Sequence, residues 1–186
     1  LNPSDQDYKV IRSIGERRER LIENNLIVSS GITFFRNTKA SLLDYSFYSI
    51  RTKIESAGNV LSLLAGTKNE DLNQNGNETM FGIEYSQYIK GEIDFIKHWD
   101  FGKKNTLAMR AFAGLAVPFG NAQSIPFSRS YFSGGSNDNR GCQAYSLGPG
   151  RSGGINDFNE ANFKSAYGLE YRFRVGGNFY SALFAD

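Results

Sequence analysis

Arg140 is the residue whose chemistry constrains this chain most: a permanent cation inside a loop made largely of glycine, serine and asparagine. A guanidinium is a planar fork of donors that can hold one carboxylate bidentately and still reach a second. Glu170 and Asp186 follow it in the sequence. If the loop folds back into an enclosed space, these two acids are the expected partners.

Other reactive side chains are sparse. Gly150-Arg151-Ser152-Gly153-Gly154 matches the G-x-S-x-G pattern of a nucleophilic serine. That chemistry needs a strand before the serine, a helix after it and a histidine base. The single histidine, His98, lies far upstream beside Trp99 and Asp100, where it reads as a rim residue near an aromatic belt. One histidine also excludes a multi-histidine metal site. Asp157 and Glu160 are two carboxylates without the repeat of a calcium loop. Cys142 is the lone cysteine, so it has no internal disulfide partner and reads as inert. The expectation is a protein that is not an enzyme and holds neither cofactor nor metal.

The elements that must position Arg140 and its acids are strands. From 163 to 175 the odd positions Phe163, Ser165, Tyr167, Leu169, Tyr171, Phe173 and Val175 alternate with Lys164, Ala166, Gly168, Glu170, Arg172 and Arg174. Successive side chains of a strand point to opposite faces, so this ribbon has one apolar wall and one charged wall. Residues 26–36 put Leu26, Val28, Ile32 and Phe34 on one face, and residues 43–55 set Tyr48, Ile50 and Ile54 against Arg51, Lys53 and Glu55. Asn37-Thr38-Lys39 reads as the short turn between them. Residues 81–99 read as one long strand with Phe81, Ile83, Tyr85, Ile89, Ile93, Phe95 and Trp99 facing one way. Residues 105–117 set Leu107, Met109, Leu115 and Val117 against Thr106, Arg110 and Gly114. Gly176-Gly177 makes a tight hairpin into a sixth strand from Phe179. Ahead of the strands, residues 4–22 read as a helix: Ser4 and Asp7 resemble a capping box, Ile11, Ile14 and Leu21 form a stripe, and Glu16 pairs with Arg20.

Two inversions of the same alternation compete. In a water-soluble sheet the apolar wall is the core; in a membrane barrel it meets lipid and the charged wall lines the interior. Connection lengths favour the barrel, with short turns after strands one, three and five, and long loops at about 56–80 and 118–162. Strands of about 11–18 residues also exceed the ~5–6 usual in globular sheets and suit tilted spans. Composition agrees: 15 Phe and 10 Tyr against one Trp, with 20 Gly. Mean hydropathy of −0.43 argues against helical spans but not against strands whose lumen positions dilute the average. A net charge of +2 leaves no nucleic-acid footprint. Without a basic n-region and apolar h-region at the start, a mature form or internal fragment is expected, and Ala182-Leu183-Phe184-Ala185-Asp186 stops inside a strand-like pattern.

The 118–162 loop also carries a family resemblance. Tyr131-Phe132-Ser133-Gly134-Gly135, then Asp138, then Arg140-Gly141, then Leu147-Gly148-Pro149-Gly150 resembles the sixth-loop signature of the BamA/TamA outer-membrane assembly family. Leu169-Glu170-Tyr171-Arg172 and Ala182–Asp186 are similar to the two acidic strand motifs of that family, and Cys142 stands where the family places an aromatic. Ile125-Pro126-Phe127 and Asn137-Asp138-Asn139 resemble members from Bacteroidetes-type bacteria.

The resemblance implies an all-β, antiparallel transmembrane barrel of sixteen strands, of which this chain holds about six, strands eight to thirteen. It would be one barrel domain: a loop helix over 1–24, four strands over 26–117, the lumen-inserted loop over 118–162 and two strands over 163–186. It implies a place in the cell outer membrane among its lipids, and unfolded outer-membrane proteins as clients. Periplasmic or lipoprotein accessory subunits would be further partners. Arg140 and Gly141 would lock onto Glu170 and Asp186. A secretion pore, the barrel anchor of a fused patatin-type lipase and a soluble ligand-binding β-domain remain alternatives.

Overall fold

A computed structural model describes residues 15, 18, 21–65, 72, 76–102, 104–147 and 160–186. Ten elements are labelled here in chain order: β1 (Asn25–Leu26), β2 (Ser29–Asn37), β3 (Tyr48–Ala57), α1 (Asn59–Ala65), β4 (Thr79–Met80), β5 (Ile83–Tyr85), β6 (Tyr88–Asp100), β7 (Thr106–Pro118), β8 (Phe163–Gly176) and β9 (Phe179–Ala185). Six of the strands form one antiparallel sheet in the order β2-β3-β6-β7-β8-β9. Neighbours in sequence are neighbours in space, the up-and-down order of a barrel wall.

Directly paired residues share a face, so the register fixes two walls. One wall carries Arg51, Asp94, Phe112 and Ala166 in a row, next to the row of Lys53, Glu92, Gly114 and Lys164. The other carries Thr52, Ile93, Ala113 and Ser165. The described parts of the 119–162 connection, residues 119–147 and 160–162, fold over the charged wall. Glu55 and Asp94 keep only 4% and 8% of their surface, whereas Ile32 and Tyr167 on the opposite wall keep 80% and 70%. Burying an Ile or Phe stabilises by ~1.5–3 kcal/mol, so a bare wall of Ile32, Phe34, Ile54, Ile93 and Leu169 calls for an apolar surrounding. Polar within and apolar without is the polarity of a barrel strand in lipid.

The main hydrophobic cluster accordingly lies between sheet and loop: Ala57, Tyr88, Ala116, Ile125 and Tyr131, with Ile27 and Phe112 packed on it. Loops sort by rim. Residues 38–47, 101–105 and 177–178 join strands on one rim, and 58–87 and 119–162 on the other.

Four boundaries differ from those read in the sequence. The first connection spans residues 38–47 rather than three residues, because Asp44 accepts the N–H of Ala40 and Ser46 and holds a turn where a strand was expected. The proposed 81–99 strand is broken. Phe81 has φ +56, a left-handed conformation that ends extended structure, and Ile83–Tyr85 joins a separate small sheet in the order β1-β5-β4. Tyr85, expected on the apolar outer wall, is fully buried there against Leu61, Leu26 and Met80. The first strand likewise starts at Ser29, since Asn25–Leu26 pairs with β5. Finally, the 58–87 connection contains α1 as well as β4 and β5 of this small sheet. Of the helix expected over 4–22, residues 15, 18, 21 and 22 are described and helical; the remainder lies outside the described residues.

Candidate functional site

The 119–162 loop is tied to the inner wall at successive levels down the sheet. Nearest the long-loop rim, Tyr131 exchanges backbone hydrogen bonds with Ala161 (2.9 and 2.8 Å), and Ala116 N–H donates to Asn162 (2.7 Å). The Tyr131 hydroxyl donates to Glu92 (3.0 Å), and the Lys90 ammonium lies 4.1 Å from the centre of its ring. Burial, and then the Glu92 carboxylate, push the Tyr131 phenol well above its ordinary value. The ring enters because position 114 is glycine: a Cβ there would stand 2.5 Å from the Tyr131 hydroxyl oxygen. Lys90 also donates to the Arg129 carbonyl (2.9 Å).

Next comes the glycine turn. Gly134 holds φ +101, and a Cβ on it would fall 2.1 Å from the Gln143 carbonyl oxygen. Only glycine accommodates both the dihedral and the approach. Its N–H donates to Asp138 (2.8 Å), whose other oxygen pairs with Lys164 of β8 (2.8 Å). Gly135 N–H donates to the Cys142 carbonyl (2.8 Å), closing the turn that presents Arg140. Arg110 of β7 holds Asp94 through Nε and Nη2 (both 3.0 Å) and donates from Nη1 to the Asn137 carbonyl (3.2 Å).

Arg140 lies deepest. Glu170 lies six steps beyond Lys164 along β8, a descent of roughly 20 Å at strand rise. Its Nε donates to Asp186 Oδ2 (2.7 Å), its Nη2 to Asp186 Oδ1 (2.9 Å) and its Nη1 to Glu170 Oε2 (3.1 Å). The backbone N–H of Arg140 adds a third bond to Asp186 (3.3 Å). Hydrogen bonding to Asp186 first, then to Glu170, raises the guanidinium further above its already high value. Glu170 is shared, since its second oxygen accepts Arg172 Nε (2.6 Å). The structure therefore brings Arg140, Glu170 and Asp186 into one cluster on two adjacent strands.

Gly141 adjoins this cluster, with its N–H on the Asn139 side chain (3.2 Å). Leu147 is exposed. Gly148, Pro149, Gly150, Ser152 and Asp157 lie outside the described residues. His98 is stacked on Phe47 (4.4 Å between centroids) on the inner wall. Sequence reasoning missed Phe184, Tyr131 and the Asp138–Lys164 pair. Phe184 was legible as an even-numbered neighbour of Asp186 facing the same wall as Glu170, its register partner.

The arrangement supplies attachment. Two of its carboxylates and one guanidinium bind a loop to a sheet. Residues 66–186 match the Omp85 superfamily domain. No curated protein matches the chain.

Proposed function

This chain belongs to the Omp85 superfamily, whose members are outer-membrane barrel proteins of protein insertion and secretion, and from that premise we propose that it forms barrel wall and plug loop of an outer-membrane protein assembly factor of the BamA/TamA kind. The observation that supports this best is the shared guanidinium. Arg140 spans Asp186 and Glu170, so one side chain joins the loop to two consecutive strands. Charge-assisted, bidentate bonds are the strong class of protein hydrogen bond. In this reading they brace β8 against β9 and hold the loop inside the lumen, with Gly134, Gly135 and Asp138 shaping the turn. The protein resides in the outer membrane, acts on unfolded outer-membrane proteins and works with periplasmic or lipoprotein subunits, without catalytic chemistry of its own.

Reconstitution tests the reading. The full-length protein in lipid vesicles should speed the folding of a urea-denatured barrel client, followed by its heat-dependent gel mobility. Arg140→Ala should reduce that acceleration. Passage of a soluble passenger into the vesicles, with client folding unaffected, would replace assembly by secretion.

A further inference from the structure

Away from the Arg140 cluster, the short-turn rim encloses a cavity of about 560 Å³ between the 38–47 turn, the 101–105 turn and the inner wall. Lys39, Lys104 and Arg172 all line it. The two lysines rest against rings rather than acids: Lys39 Nζ lies 5.0 Å from the centre of Phe47, and Lys104 Nζ 5.8 Å from that of Tyr180. Among the described residues neither has a carboxylate at ion-pair distance. Arg172 engages Glu170 through Nε, and its register partner Thr106 sits beside it on the wall. His98, stacked on Phe47, lies within electrostatic reach of both Arg172 and Lys39.

Two acids also line the cavity, and both are engaged by backbone. Asp44 accepts the N–H of Ala40 and Ser46 (3.1 Å each), and Asp100 accepts that of Gly102 (2.8 Å). They stabilise the turns, and Asp44 acts on Lys39 through space without an ion pair at contact distance. Lys104 is moreover held at φ +65, a conformation uncommon for a residue with a side chain. Among the described lining residues, Lys39, Lys104 and Arg172 stand with Asp44 and Asp100, and ring faces complete the walls.

We propose that this rim cavity binds a phosphate-bearing anion, the Lys39 and Lys104 ammonium groups and the free end of the Arg172 fork supplying the donors. The ring walls and the volume admit a group larger than an inorganic ion, such as a phosphodiester. Guanidinium and ammonium groups together are the usual donors to phosphate. The site shares Glu170 with the loop attachment through Arg172 and does not rest on the assembly reading.

The test uses the full-length protein in neutral detergent, titrated by calorimetry with inorganic phosphate and, separately, with a short-chain phosphatidylglycerol below its micelle concentration. Saturable binding of the lipid with little response to phosphate identifies a headgroup site. Comparable binding of both identifies a site for free phosphate anions. In either case Lys39→Gln/Lys104→Gln should weaken binding at least tenfold while the heat-dependent gel mobility of the barrel stays unchanged. If the double variant fails to fold, each single variant should weaken binding severalfold. Absence of saturable binding by the unaltered protein, or unchanged affinity in folded variants, would overturn the proposal.

Discussion

The Arg140 guanidinium lies over the Phe184 ring, its central carbon 3.7 Å from the ring centroid, while Asp186 two residues on grips its Nε and Nη2. One strand end thus offers both a π face and a carboxylate to the same cation. Arg140 is held by stacking as well as by charge, which sets how its replacements should rank.

Arg140→Lys keeps the charge but loses the fork and the planar stack, so it should behave much like Arg140→Ala. Both should expose residues 134–147 to protease in the full-length protein. Phe184→Leu, which leaves the carboxylates in place, should produce a smaller effect. Limited proteolysis followed by mass spectrometry reads all three; equal protection of Arg140→Lys and the unaltered protein would refute the geometry.

Tyr131 should prove a second attachment. Gly114→Ala puts a methyl 2.5 Å from the Tyr131 hydroxyl, and overpacking of this kind costs ~1–3 kcal/mol. Tyr131→Phe removes one hydrogen bond to Glu92, a loss of about 1 kcal/mol. Because the two positions touch, Gly114→Ala in a Tyr131→Leu background should cost less than the sum of the single changes. Guanidinium unfolding midpoints of the unaltered protein, the three single variants and the double variant decide the matter.

The polarity of the walls predicts labelling. In a Cys142→Ser background, cysteine at Ile93 or Leu169 should resist a water-soluble maleimide and react with a lipophilic one. Cysteine at Ala182, which pairs with Arg172 on the inner wall, should show the reverse. Swapped patterns would mean that the apolar wall is not in lipid.

The 38–47 turn should be acid-sensitive. Backbone N–H groups of Ala40, then Ser46, hold the Asp44 carboxyl below its ordinary value of 3.8. A lowered folded-state value means that the unfolded turn takes up protons first as acid is added. The stabilisation is therefore complete above pH 3.8 and is lost as pH falls through the depressed value. Hydrogen-exchange protection of the Ala40 and Ser46 amides should decline in that window, and Asp44→Asn should abolish the decline.

The two walls of the long strands and the sorting of short and long connections are legible in the order of the residues. Side-chain alternation has a period of two and needs no knowledge of the partner strand. Thus Tyr167 and Leu169 could be set against Lys164 and Glu170 from their spacing alone, and Arg140 marked as a cation in want of acids.

How those acids are shared depends on contacts between segments far apart in the chain. Leu169 pairs with Ala185, which carries Asp186 one step further, over Gly168, and places Phe184 opposite Glu170. Register depends on the pairing of two segments and on the bulge near Arg174, and neither segment contains it alone. The break before Tyr88 is of the same kind. Residues 81–99 alternate well enough for one strand, yet Tyr85 gains more from burial against α1 than from extending the sheet. Tyr131 and Gly114 are equally opaque in isolation, because a missing Cβ becomes a socket only when a distant ring is brought to it.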